Sequence, residues 1–143
     1  MRMKPAPSIN SPHEEERDTP LMAAKLPLFV AIALLQAIIF AGATEFIVGD
    51  ETGWIVGKNY TKWAENKTFK VGDKLVFQYM AVQHDVFWVG EPEFNSCKTS
   101  PYIEHQTSGN DEFLLTTPGR RWYICGKSNH CTSGMKLAIN AIE

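Results

Sequence analysis

Three metal-binding side chains of graded softness stand at equal steps in one short stretch: Cys125, His130 and Met135, each five residues from the next. The apolar run Trp122-Tyr123-Ile124 leads into it, and Lys136-Leu137-Ala138-Ile139-Asn140 leads out. A stretch flanked in this way reads as a loop joining two strands near the end of a β domain. Thiolate and thioether are soft donors that suit reduced copper, and imidazole suits copper in both oxidation states. The loop lacks one thing, a second imidazole, which must come from elsewhere in the chain.

The 143 residues suffice for one domain with its own core, and four Trp, four Tyr and eight Phe support packed globular structure. A net charge of −2, with no basic stripe, argues against a nucleic-acid partner. Three cysteines is an odd number. In a secreted protein one disulfide leaves one thiol to explain. A metal-bound thiolate is one explanation and a buried free cysteine is the other.

Residues 1–21 are polar, with a charge cluster from Glu14 to Asp18 and no apolar face, and read as a disordered extension. Residues 22–43 read as a signal peptide. Met22-Ala23-Ala24-Lys25 precedes an apolar run from Leu26 to Ala43, and Ala41-Gly42-Ala43 places the cut before Thr44. The alternative is an uncleaved anchor, since the run is near the lower length for spanning a bilayer. Gln36 and the small residues at its end favour cleavage. Secretion puts residues 44–143 where disulfides persist. It also makes Asn59 (Asn59-Tyr60-Thr61) and Asn66 (Asn66-Lys67-Thr68) candidate glycosylation sites. No second apolar tail follows, so the expectation is a mature form with no membrane anchor, soluble and monomeric.

From Thr44 onward, short apolar runs alternate with turn signals such as Gly72-Asp73 and Thr117-Pro118-Gly119. The clearest strand is Lys74 to Met80; others fall at Asp85–Val89, Phe113–Thr116, Arg121–Ile124 and Lys136–Ile142. Tyr60–Lys67 and Glu91–Lys98 are candidates for one or two short helices. The pattern predicts an all-β antiparallel sandwich or barrel. The four tryptophans, Trp54, Trp63, Trp88 and Trp122, are expected in the core.

Residues 44–143 hold three histidines, His84, His105 and His130. His105 lies in Tyr102–Ser108, which reads as a polar loop, and a solvent or hydrogen-bonding role is expected for it. His84 lies between two strong strands, where it can face a loop at the same end of a sandwich. It is the candidate for the missing imidazole.

Here a resemblance enters. The runs Val48-Gly49-Asp50…Gly53-Trp54, Trp63-Ala64…Phe69-Lys70-Val71-Gly72-Asp73-Lys74-Leu75-Val76-Phe77 and His84-Asp85-Val86 resemble a plant phytocyanin. So does the ending Cys125…His130-Cys131…Gly134-Met135-Lys136-Leu137. The resemblance covers residues 45–142. It implies a cupredoxin-like Greek-key β-sandwich and one type 1 (blue) copper ion. It implies His84, Cys125 and His130 as strong ligands and Met135 in the axial position, the Met-ligand type such as plantacyanin or uclacyanin. It also implies a disulfide between Cys97 and Cys131.

The function so implied is one-electron transfer through Cu(I)/Cu(II) in the apoplast or cell wall. The partner would be a redox protein or a small-molecule reductant. Three rivals stand beside it. A zinc site from His84, Cys125, His130 and Cys131 crowds adjacent ligands on one centre and leaves Met135 unexplained. A copper oxidase needs histidine clusters that three histidines cannot supply. A copper-free extracellular binding or signalling module on the same fold is the third, and a complete ligand set argues against it.

Overall fold

The strongest strand signal in the sequence lies at the centre of a sheet. The structure, a computed structural model, describes residues 42–143. The strands are β1 (Glu45–Ile47), β2 (Phe69–Lys70), β3 (Lys74–Gln78), β4 (Val86–Val89), β5 (Glu104–Gln106), β6 (Asn110–Leu114), β7 (Gly119–Ile124) and β8 (Lys136–Ile142). Two short helices, α1 (Tyr60–Ala64) and α2 (Glu91–Ser96), lie between them. The expected extension at 1–21 lies outside the described residues, as does the expected leader at 22–43 apart from its last two residues.

The strands form two sheets, in the orders β1-β3-β6 and β2-β8-β7-β4-β5. The chain passes from β5 in the larger sheet to β6 in the smaller and back to β7, the crossing pattern of a Greek-key sandwich. The sheets are not purely antiparallel. β1 runs parallel to β3, and β2 parallel to β8. A parallel pair needs a crossover of about a dozen residues or more. The segment holding α1 supplies one between β1 and β3. Strand periodicity carries no information about that connection, so the sequence reading missed it.

Alternation builds the core. In β6, Asp111 and Phe113 face inward while Asn110, Glu112 and Leu114 face out. Phe77 meets Trp54 edge-on at 5.0 Å and Phe113 at 5.5 Å, an arrangement favoured by the ring quadrupoles. Helix α1 starts where the Asn59 side chain accepts the Lys62 N–H at 2.9 Å. It buries Tyr60 and Trp63, three residues apart on one face. Trp54 and Trp63 are core as expected, whereas Trp88 and Trp122 are only half-buried. Strand β5 replaces the expected polar loop. It is an edge strand of three polar residues, with none of the apolar alternation that marks a half-buried strand.

Candidate metal centre

Strand pairing explains why residues distant in sequence converge. β4 and β7 are antiparallel neighbours with Phe87 opposite Ile124. The residues just before β4 therefore lie beside those just after β7, which brings His84 to Cys125. The loop then folds back. The His130 carbonyl accepts the Met135 N–H at 3.0 Å, and the Met135 carbonyl accepts the Cys125 N–H at 3.1 Å. Gly134, at φ +94°, supplies the left-handed turn ahead of Met135.

His84 Nδ1 lies 3.1 Å from His130 Nδ1 and 3.9 Å from Cys125 Sγ; His130 Nδ1 lies 3.5 Å from the same sulfur. Among the described residues this is the one such cluster of His, Cys, Asp or Glu donors. Metal–nitrogen bonds of about 2.0–2.1 Å and a metal–sulfur bond of about 2.3 Å, the zinc values, put three donors of a trigonal plane roughly 3.5–3.8 Å apart. The observed separations bracket that range, so the side chains fit a metal ion without rearrangement. Met135 is fully buried in the same apolar cluster as Cys125.

Cys97 and Cys131 form a disulfide, which leaves Cys125 as the free thiol. The bridge removes Cys131 from the ligand set and with it the two-cysteine zinc site. It also anchors the residue following His130.

Two features escaped sequence reading. Asp85 is buried, and its Oδ1 accepts the Gly126 N–H at 2.6 Å, tying the residue after His84 to the residue after Cys125. Its carbonyl accepts the Trp54 indole N–H at 3.0 Å. The second is the role of Gly126. A Cβ there would stand 2.4 Å from Cε2 of Phe87 and 3.0 Å from Cγ2 of Thr99. Gly126 is thus required by close packing, not by turn geometry. His105 stays outside the cluster; its ring stacks on Phe87 at 3.7 Å, and its Nε2 lies 3.4 Å from Asp85 Oδ2.

Burial, followed by the neighbouring His130, lowers the pKa of His84 below its ordinary 6.5. Burial pushes the Cys125 thiol above its ordinary 9.0. The metal-free centre therefore holds a neutral imidazole and a protonated thiol, and loading releases the thiol proton. For His84 the folded state binds fewer protons than the unfolded chain. Its stability contribution is present above 6.5 and is lost as pH falls through the lowered folded value. In urea titrations the metal-free protein is expected to weaken as pH drops below 6.5, and His84→Gln to flatten that slope. An unchanged slope in the variant would place the acid sensitivity elsewhere.

Ile55, Val56 and Gln83 surround the two imidazoles in an open cavity of about 500 Å³. Ile55 and Val56 are exposed there, so the centre lies just beneath an apolar surface.

Two imidazoles and a thiol converging at one end of such a sandwich define a type 1 copper site on a cupredoxin-like fold. The comparisons agree. Residues 54–135 match the family described as Plastocyanin-like domain. Blue copper protein 1b of Medicago truncatula is 44% identical over 118 residues, 82% of this chain and 72% of that protein. Stellacyanin of Toxicodendron vernicifluum is 40% identical over 102 residues, covering 68% of this chain and 95% of that one. The solved structure of cucumber basic protein, a blue copper protein, superposes with a TM-score of 0.63 at 37% identity, over 68% of this chain and 98% of that chain. The chain belongs to the plastocyanin-like family of blue copper proteins, as a phytocyanin.

Proposed function

We propose that the protein is a secreted electron carrier, not an enzyme. His84, Cys125 and His130, with Met135 as a weaker fourth donor, would hold a single copper ion, which would supply a Cu(II)/Cu(I) couple. The observation that carries this reading is the convergence of His84 Nδ1, His130 Nδ1 and Cys125 Sγ within 3.9 Å of one another. Copper bound to such a set supplies a one-electron couple. The chain's own residues supply rigidity. The Cys125–Met135 and Met135–His130 backbone bonds, the Asp85–Gly126 bond and the disulfide hold the donors, so little moves when an electron arrives or leaves.

Adding Cu(II) to the purified, thiol-reduced protein tests this. An intense thiolate-to-copper band in the visible and a reversible one-electron wave are expected; a colourless protein would defeat the reading. Met135→Gln is expected to keep copper but lower the potential, because an amide oxygen donates more strongly to Cu(II) than a thioether does. A potential equal to or above that of the parent would remove Met135 from the ligand set.

The electron is exchanged with a redox protein or a small reductant at the apolar face around His84 and His130, where the imidazoles come closest to solvent. The mature chain acts as a monomer outside the cell. Asn59 and Asn66 carry glycans. Both side chains are exposed, and the Asn59 cap uses the carboxamide oxygen, which leaves its nitrogen for a sugar. Loss of mass on enzymatic deglycosylation of the secreted protein checks the glycans, and N-terminal sequencing of the same material checks the cut before Thr44.

A further inference from the structure

Tyr79 follows β3 directly and packs against the main apolar cluster. Pairing of β3 with β6 sets Asp111 opposite Phe77, so Tyr79 falls diagonally beside it on the same face. The Tyr79 N–H donates to the Gly109 carbonyl at 2.9 Å, which fixes that approach. The phenol donates to Asp111 Oδ2 and lies 3.3 Å from the Gln106 carbonyl. Beyond Tyr79 the turn at 81–83 folds the chain back, and the His84 N–H donates to the Met80 carbonyl at 3.1 Å. That return sets the His84 ring edge-on to Tyr79, with centroids 6.4 Å apart. One face of the phenol thus meets a candidate copper ligand, while its hydroxyl meets a carboxylate.

Asp111 is buried, and its Oδ1 accepts the Ser108 N–H at 3.1 Å and the Ser108 hydroxyl at 2.5 Å. No cation pairs with it among the described residues. A carboxylate held only by neutral donors is a base placed to take the phenolic proton. The other tyrosines lack this arrangement. Tyr60 donates to the backbone carbonyls of Gly53 and Ile55, and the buried Tyr123 hydroxyl has no partner. Tyr102 is exposed and packs on Phe87 and His105. Trp63 does donate to a carboxylate, that of Asp50 at 2.9 Å, but Lys67 lies 3.8 Å from that group and the indole packs on Phe69.

We propose that Tyr79 and Asp111 form a proton-coupled relay that carries one electron from the metal centre to an oxygen-centred organic radical such as a peroxyl. A phenol gives up an electron far more readily when its proton has a base to go to, because a neutral phenoxyl forms in place of a radical cation. The peroxyl takes one electron from Tyr79 and becomes the peroxide anion. The phenolic O–H bond breaks, and its proton moves to Asp111 Oδ2. One electron from Cu(I), passed through His84, then restores Tyr79, and the proton returns from Asp111. In sum, the peroxyl is reduced and Cu(I) is oxidised to Cu(II). Tyr79 is half-buried between the exposed Gln78 and Met80, where a small radical reaches it. It does not line the cavity formed by Ile55, Val56, Gln83, His84 and His130, so this route is separate from that apolar face. The return of the electron rests on the copper reading above, whereas the oxidation of Tyr79 needs no metal.

Pulse radiolysis with trichloromethylperoxyl as the oxidant tests both halves. The first measurement uses the metal-free chain carrying Cys125→Ser, which leaves no thiol to compete for the oxidising equivalent. Transient tyrosyl absorption is expected. Adding Tyr79→Phe is expected to remove most of it, and Tyr102→Phe to leave most of it. Asp111→Asn keeps an oxygen for Ser108 but removes the base, and is expected to slow tyrosyl formation by about a hundredfold. Near-UV circular dichroism verifies that each variant is folded. The second measurement uses the reduced, copper-loaded chain with Cys125 intact. Tyrosyl absorption is expected to decay as the blue band grows, in one first-order phase that Tyr79→Phe abolishes. A tyrosyl signal unchanged by Tyr79→Phe, or formed as fast in Asp111→Asn, would overturn the relay. Equal growth of the blue band in the parent and in Tyr79→Phe would overturn the return step. A chain that takes up no copper would defeat the carrier reading and the return step together, and the metal-free measurement would still decide the Tyr79–Asp111 pair.

Discussion

Replacing Cys125 with Ser is expected to abolish the visible band of the copper-loaded protein. The band needs a thiolate that can give an electron to Cu(II), and a serine hydroxyl is neither ionised at neutral pH nor soft. Copper affinity is expected to fall more than about a hundredfold. Losing an outer hydrogen-bond partner of a ligand already costs about 10–100-fold, and a strong ligand counts for more. The fold is expected to survive. Cys125 is buried in the main apolar cluster, and a hydroxyl there is nearly isosteric with the thiol. An unsatisfied buried hydroxyl costs about 1–3 kcal/mol, within the stability of an ordinary domain. Visible absorption and competition with a Cu(I) chelator measure both effects; a variant that stays blue would exclude Cys125 as the charge-transfer donor.

Removing the disulfide is the second large effect. Cys97 and Cys131 are 34 residues apart in sequence. The chain-entropy relation for a closed loop of that size gives about 4 kcal/mol, inside the roughly 2–5 kcal/mol range for small secreted domains. Changing both cysteines to Ser avoids leaving one to mispair with Cys125. Urea denaturation of the metal-free double variant is expected to show that loss, and a deficit below about 1 kcal/mol would contradict it. Copper affinity is expected to fall as well, because Cys131 adjoins His130.

The metal centre was legible because its chemistry sits in residue types with few other uses. Cys125, His130 and Met135 at equal spacing pointed to soft-metal binding without any fold, and the odd cysteine asked for a bound thiol. His84 could be selected because the alternatives were few. The supports were not legible. Nothing in Asp85 signals that its carboxylate reaches across to Gly126, a partner 41 residues away. Nor does the sequence mark Gly126; the packing of Phe87 and Thr99 against it shows that a side chain has no room there. The strands followed the same divide. β3 was readable from its β-branched and aromatic content, and β8 as the last apolar run of the chain. β5 was not, because Glu104, His105 and Gln106 owe their place to backbone pairing with β4 and carry no apolar signal.

The parallel pairing of β2 with β8 bears on the order in which the protein can be made. Phe69 and Lys70 have no partner in the larger sheet until Ala141 and Ile142 arrive. Contacts between segments so far apart close late, since the loop between them must first lose its freedom. Met135 and the turn before it lie directly ahead of β8, so the donor set becomes rigid only when that late strand docks. Until it docks, Cys125 is an unshielded thiol while Cys97 and Cys131 are finding each other. The metal is best acquired after synthesis, by a sandwich already closed.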